Sequence, residues 1–154
     1  VSWHPHVTVA AVVERQGRFL LVEEQTRNGL EWNQPAGHWE PGETLIDAVI
    51  RETFEETGYR FHPSTLLGIY VWSRGETPED TAPDTFVRVT FSGGVDPEPA
   101  SQELDDGIVR AFWAEPDELR APTAPLRSPM VLRCVEDWLA GVRHPLALLQ
   151  HLAP

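Results

Sequence analysis

The sequence predicts an α/β protein, a sandwich in which a mixed β-sheet lies between helices, built as a single domain over residues 1–154. Three observations carry this expectation. Short β-branched and apolar runs, bounded by glycine, asparagine and proline, fill the first forty residues and return between Leu66 and Ala114. Between the two groups lies a stretch from Leu45 to Thr57 that nothing interrupts and whose apolar residues fall at helical spacing. A second such stretch, Ser128 to about Ala140, follows the last run, so strands and helices alternate in blocks.

In chain order, Val7 to Val13 is apolar and rich in β-branched residues, which suits a buried strand. Gln16-Gly17 is a hairpin turn into a second strand, Arg18 to Glu23. Arg27, Asn28 and Gly29 make the next turn, and Pro35 and Gly37 break LEWNQPAGHWE into short, irregular strands and loops. Pro41-Gly42 excludes a helix there, whereas Thr44 suits an N-cap, with Asp47 at the capping-box position. Gly58 suits a left-handed cap at the helix end. Leu66 to Trp72 and Thr85 to Phe91 read as strands joined by an acidic, proline-bearing loop, RGETPEDTAPD. SGGVDPEPASQELDDG reads as a second flexible acidic stretch, Ile108 to Ala114 as a strand, and EPDEL as the start of a short helix. Val131, Leu132, Val135, Trp138 and Leu139 form the apolar stripe of the final helix.

Composition narrows the function classes. Forty-one per cent hydrophobic residues, with six Trp and six Phe, describe a globular chain. A net charge of −12 supplies no basic stripe to meet a nucleic-acid backbone, so none is expected as a partner. All twelve basic residues are arginines. The single cysteine, Cys134, excludes an intrachain disulfide, points to a reducing compartment and reads as a small core residue of the last helix. The first residues lack the pattern of a signal peptide and no run is long enough to cross a bilayer, so a cytoplasmic protein without a membrane partner is expected. Monomer and homodimer stay open.

The chemistry concentrates on the first helix. Glu52, Glu55 and Glu56 stand at i, i+3 and i+4 and share one stripe, while Ile46, Val49, Ile50, Thr53 and Thr57 form a core stripe beside it. Three like charges repel, and the C-terminal half of a helix is unfavourable for anions. Arg51 can neutralise one carboxylate; a hard divalent cation held by carboxylate oxygens suits the others. An E-x-x-E-E run alone is common on solvated helix faces, so its surroundings decide its meaning.

Those surroundings are Gly37, Glu43, Arg51, Glu52, Glu55, Glu56 and Gly58, spaced as G-x5-E-x7-R-E-U-x-E-E-x-G-U, where U is a bulky apolar residue and Tyr59 takes the last place. This resembles the signature of the Nudix hydrolases. Thr53 departs from it by standing where an aliphatic residue is usual, which bears on local packing rather than on chemistry. PHVTVA near the start, G-x-F-L-x-V-E-E, WNQPAGH, the RSP of Arg127 to Pro129 and the G-x-R-x-P-L of Gly141 to Leu146 resemble the NudJ group of bacterial phosphatases within that family.

The resemblance implies a Nudix-like α/β/α sandwich and Mg²⁺-dependent hydrolysis, with Mn²⁺ as a substitute. It implies attack of a metal-activated water on phosphorus in nucleoside tri- and diphosphates or the thiamine pyrimidine precursor diphosphate. A narrower pyrophosphohydrolase of nucleotides or nucleotide sugars is the alternative, and a non-catalytic nucleotide-sensing module is the rival from another class. By the same resemblance Glu52, Glu55 and Glu56 hold metal, with the Gly37 carbonyl completing the shell, and Glu52 is a ligand or the general base. Arg51 holds a glutamate in place, partnered by Glu43. A distal acid is expected among Glu103, Asp105 and Asp106. For a small polyphosphate substrate, Trp32, Trp39 and Trp72 are candidates to stack on a ring and Asn33 and Gln34 to bond its edge. Arg88 and Arg127 are candidates to clamp phosphates. His6 and His38 have no partner at metal spacing and read as structural.

Overall fold

The computed structural model describes residues 2–75 and 83–152. Most of the RGETPEDTAPD connection, residues 76–82, lies outside the described residues. Among the described residues seven strands and three α-helices follow one another: β1 (His6–Arg15), β2 (Arg18–Thr26), β3 (Gly29–Asn33), β4 (Ala36–His38), α1 (Leu45–Thr57), β5 (Phe61–Arg74), β6 (Asp84–Val95), β7 (Ile108–Ala114), α2 (Pro116–Arg120) and α3 (Pro129–Leu139). The sheet runs β3-β2-β1-β6-β5, with β4 also on β1 and β7 also on β2. It is mixed because β1 and β6 are parallel while every other pairing is antiparallel.

The alternation of β1 explains the layers. Val9, Ala11 and Val13 face α1 and join Ala48, Val49, Val89 and Phe91 in one core. Val12 points the other way, to Phe19, Leu21 and Leu67 and to Val131, Cys134 and Val135 of α3. Helices therefore cover both faces, and Cys134 is a buried core residue. At the β1–β2 hairpin Gln16 and Gly17 have φ of 53° and 80°, the two positive values that a tight turn between right-twisted strands demands.

Helix α1 has the expected bounds. The Thr44 hydroxyl accepts from the Asp47 N–H at 3.0 Å, and Gly58, at φ 76°, donates its N–H to the Phe54 carbonyl. Its buried face includes Ala48 and Glu52 as well as Val49, Thr53 and Thr57, whereas Ile46 and Ile50 are only partly covered. The acidic stripe thus does not all lie at the margin, because the closely apposed β4 covers Glu52.

Strands β5 and β6 extend well beyond the apolar runs that predict them. Pro63, which cannot donate to the ladder, sits at a register shift inside β5. The stretch expected to be flexible after Phe91 is not uniformly so: Ser92 to Val95 continue β6. Farther on, the Ala100 N–H donates to the Gly58 carbonyl and the Asp105 N–H to the Glu55 carbonyl, at 2.8 and 2.9 Å. These are carbonyls that the end of α1 leaves without helical partners, so the acidic segment is drawn against it.

Candidate active site

A cavity of about 340 Å³ opens where β1, β4, β6 and the ends of α1 and α3 converge. On its acidic wall, β4 brings Gly37 so close to α1 that a β-carbon there would overlap the Glu52 carboxylate. Arg51 organises the charges beside it. Its Nε and Nη2 bond the two oxygens of Glu43 at 3.0 and 2.8 Å, and its Nη1 bonds Glu52 at 2.8 Å and Glu55 at 3.2 Å. The bond from Arg51 holds the Glu43 carboxyl below its ordinary range, and the bond to Glu43 raises the already high pKa of the guanidinium.

Glu52, Glu55 and Asp105 each offer a carboxylate oxygen within 4.8 Å of the others. A set of hard oxygen donors at that spacing fits a divalent cation such as Mg²⁺ or Mn²⁺. Of the three distal acids, Asp105 joins the helix glutamates because its backbone is tied to Glu55; Glu103 and Asp106 are exposed and outside the cluster. Glu56 stands apart from that triad: one of its oxygens accepts the Ala36 N–H at 2.9 Å, and the side chain lines the cavity with Glu52. Burial pushes its carboxyl up to about 9, with Glu52 adding repulsion. Burial also raises Glu52, against the opposing pull of Arg51.

The opposite wall is cationic. Arg88 on β6 is 4% exposed, and its two terminal nitrogens bond only neutral oxygens, Gln34 Oε1 and Asn33 Oδ1, both at 2.9 Å. Its Nε is buried with no hydrogen-bond partner among the described residues. Burial lowers its pKa, against the opposing pull of neighbours that include Glu56. Arg127 lines the same wall and bonds Glu24 at 3.0 Å. Asn33 and Trp72 also line the cavity.

Other expected contacts are occupied elsewhere. Gln34 is 1% exposed, accepts from Arg88 and donates to the Val131 carbonyl, and is not in the cavity lining, so it supports Arg88 from behind. Trp32 donates to Glu23 and packs edge-on against Phe112, outside the cavity lining. Trp39 is exposed and donates to the Glu43 carbonyl; it braces the Arg51 cluster from outside. His6 and His38 are not isolated: Nδ1 of one and Nε2 of the other are 3.3 Å apart, and His38 lines the cavity. Burial, then the neighbouring His6, lowers the His38 pKa. Phe86, Glu24, Thr8, Ser128 and Met130 also line the cavity; Thr8, Glu24 and Ser128 stand inside the PHVTVA, G-x-F-L-x-V-E-E and RSP runs, whereas no motif marks Phe86 or Met130.

An acidic platform on a helix behind a glycine-bearing strand, in one cavity with a buried arginine, has the chemistry to receive a divalent cation and a phosphate chain. Residues 3–134 match the NUDIX domain, and the chain belongs to the Nudix family. It is 37% identical over 145 residues to the phosphatase NudJ of Escherichia coli K12, covering 94% of this chain and 90% of that one. A NUDIX hydrolase from Nitrosomonas europaea superposes with a TM-score of 0.84 at 48% identity, covering 97% and 98% of the two chains. The NUDIX domain of Shewanella oneidensis NrtR, solved with ADP-ribose, shares the fold with a TM-score of 0.67 at 20% identity, covering 91% and 90%. The protein is therefore a Nudix hydrolase acting on pyrophosphate bonds, homologous to NudJ phosphatases. Among the described residues no helix is long and apolar enough to cross a membrane.

Proposed function

We propose that the protein is an Mg²⁺-dependent phosphatase of nucleoside tri- and diphosphates, with the thiamine pyrimidine precursor diphosphate as a further substrate. The convergence of Glu52, Glu55 and Asp105, with Glu52 sharing its cavity with the buried Arg88, is the observation that carries this reading. Glu55 and Asp105 would hold the cation, with Glu56 and the Gly37 carbonyl completing its surroundings and Glu52 beside it. A cation bound there would neutralise phosphate charge and acidify a water.

The chain's own groups do the rest. Arg88 and Arg127 orient the phosphate chain from the opposite wall. Arg51, fixed by Glu43, keeps the Glu52 carboxylate turned to the cavity. Glu52 is the base: Arg51 engages one of its oxygens, and no described hydrogen bond engages the other. As water oxygen bonds phosphorus, the water proton passes to Glu52, the phosphoanhydride bond breaks, and the leaving phosphate keeps the electron pair.

Incubating the protein with GTP, GDP and the pyrimidine diphosphate, with Mg²⁺ or with EDTA, tests this when phosphate and pyrophosphate are resolved. Phosphate release that needs the cation is expected. Pyrophosphate alone from GTP would instead support the narrower pyrophosphohydrolase. The intact acidic cluster and the homology to catalytic phosphatases speak against a purely nucleotide-sensing module.

A further inference from the structure

The rings of His6 and His38 take no part in the phosphate chemistry proposed above, and the sheet brings them together. Thr8 of β1 pairs with His38 of β4, so His6, two residues before Thr8, is the diagonal neighbour of His38 on one face. There the Nδ1 of His6 and the Nε2 of His38 are 3.3 Å apart. His38 is exposed and the His6 side chain is 42% exposed, so an ion reaches both from solvent.

Two basic ring nitrogens facing each other at this distance need an electrophile between them. A proton is one solution, but 3.3 Å is long for a bond donated by N–H, which spans about 2.7–3.2 Å to oxygen. A metal ion is the other. Two imidazole nitrogens, each about 2.0–2.1 Å from a tetrahedral Zn²⁺, stand about 3.3–3.4 Å apart. His6 is also held for that role. Its ring stacks on that of Phe86, its register partner on β6, with centroids 4.9 Å apart and planes 20° apart. Asp84, two residues before Phe86, places its Oδ1 3.7 Å from His6 Nε2, the nitrogen that does not meet His38. A carboxylate on that side favours the tautomer with its proton on Nε2 and leaves the Nδ1 lone pair free. Outer-shell carboxylates set metal-binding histidines in the same way.

We propose that His6 and His38 form a transition-metal site, distinct in chemistry from the acidic triad, that takes a borderline ion such as Zn²⁺. Imidazole nitrogens suit Zn²⁺, Ni²⁺ or Cu²⁺, whereas Mg²⁺ keeps to carboxylate and water oxygens. Among the described residues no third imidazole, thiol or carboxylate offers an atom within 4.8 Å of both nitrogens, so water fills the remaining positions. An ion there ties β1 to β4, the three-residue strand that carries Gly37. The site is thus a clamp on that strand, and it does not depend on the hydrolytic reading.

The test is a Zn²⁺ titration in excess Mg²⁺, which keeps the acidic triad supplied with a hard cation. Long-range ¹H–¹⁵N spectra of the imidazole rings read ligation directly, without any turnover. Stoichiometric Zn²⁺ should move His6 Nδ1 and His38 Nε2. His62, bonded to Asp96 at the other end of the β5–β6 ladder from Phe86, should stay in place. A ligand matters at least as much as outer-shell partners do, so His6→Ala should weaken Zn²⁺ binding in calorimetry by about tenfold or more. The same variant should lose the rise in Tm that Zn²⁺ gives the parent. Ring nitrogens of His6 and His38 unmoved by Zn²⁺ would overturn the proposal. So would an equal affinity, or an equal rise in Tm, for the parent and His6→Ala.

Discussion

The carboxylate of Glu52 occupies the space that a β-carbon on Gly37 would fill. Strand β4, through its pairing with β1, holds the glycine there, and helix α1 presents the glutamate. The closeness of strand and helix keeps Glu52 at 8% exposure while leaving its head in the cavity.

Gly37→Ala must therefore push the Glu52 carboxylate aside. A displacement near 1 Å at a catalytic group costs on the order of a hundredfold in rate. Steady-state kinetics should show kcat reduced by about that factor, with a circular dichroism spectrum like the parent's. A variant retaining more than a third of the parent kcat would show that Glu52 does not need its present position.

Arg51 and Glu43 act as a unit, because both carboxylate oxygens of Glu43 are committed to the guanidinium. Both side chains are largely buried, so the pair is not screened like a surface bridge. A double-mutant cycle with Arg51→Met and Glu43→Gln, read by urea denaturation, should return a coupling of about 1–3 kcal/mol. Arg51→Lys should not restore activity, since an ammonium cannot reach Glu43, Glu52 and Glu55 with a planar fork. Additive single mutants would remove the case for a shared unit.

The raised pKa of Glu56 sets a direction for stability against pH in the metal-free protein. The folded carboxyl holds its proton to about 9, and the unfolded one releases it near 4.5. The folded state thus binds more protons in that window, so stability is full below 4.5 and is lost as pH rises through about 9. Glu52, also raised, adds the same sign. Thermal melts in EDTA should show Tm falling from pH 6 to pH 9, and Glu56→Gln should flatten the slope while losing hydrolysis by orders of magnitude. A slope unchanged by Glu56→Gln would assign the titration to another group.

Thr53 is fully buried, and its hydroxyl has no hydrogen-bond partner among the described residues. The hydroxyl carries a desolvation cost that an isosteric methyl would not. Thr53→Val should stabilise the protein by about 1 kcal/mol, seen as a Tm increase of roughly 2–4 °C. A lower Tm would mean that the hydroxyl is satisfied in solution.

Much of the fold was legible because its signals are local. Thr44, Gly58 and the unbroken run between them delimit α1 to the residue, since capping is decided by side chains within one turn. The Gln16-Gly17 turn declares its hairpin for the same reason. The true lengths of β5 and β6 were hidden, because a strand continues through Pro63 or Gly93 when its partner holds it there. In the site, the resemblance to the Nudix signature anticipated the pairing of Glu43 with Arg51, which the structure displays in full.

By itself the sequence determined where the chemistry concentrates: a glycine, four glutamates and an arginine at helical and loop spacings, which through their resemblance to the Nudix signature announce an acidic platform suited to a cation. Only the tertiary structure decided which groups meet across the chain. Asp105 could not be told from Glu103 and Asp106 until a backbone bond to Glu55 drew it in. Gln34 looked available until Arg88 and Val131 used both ends of its amide. His6 and Phe86, eighty positions apart, become neighbours only because β1 and β6 lie parallel and in register. Spacing along one helix is fixed by backbone geometry, whereas contact between distant strands depends on how the whole sheet assembles.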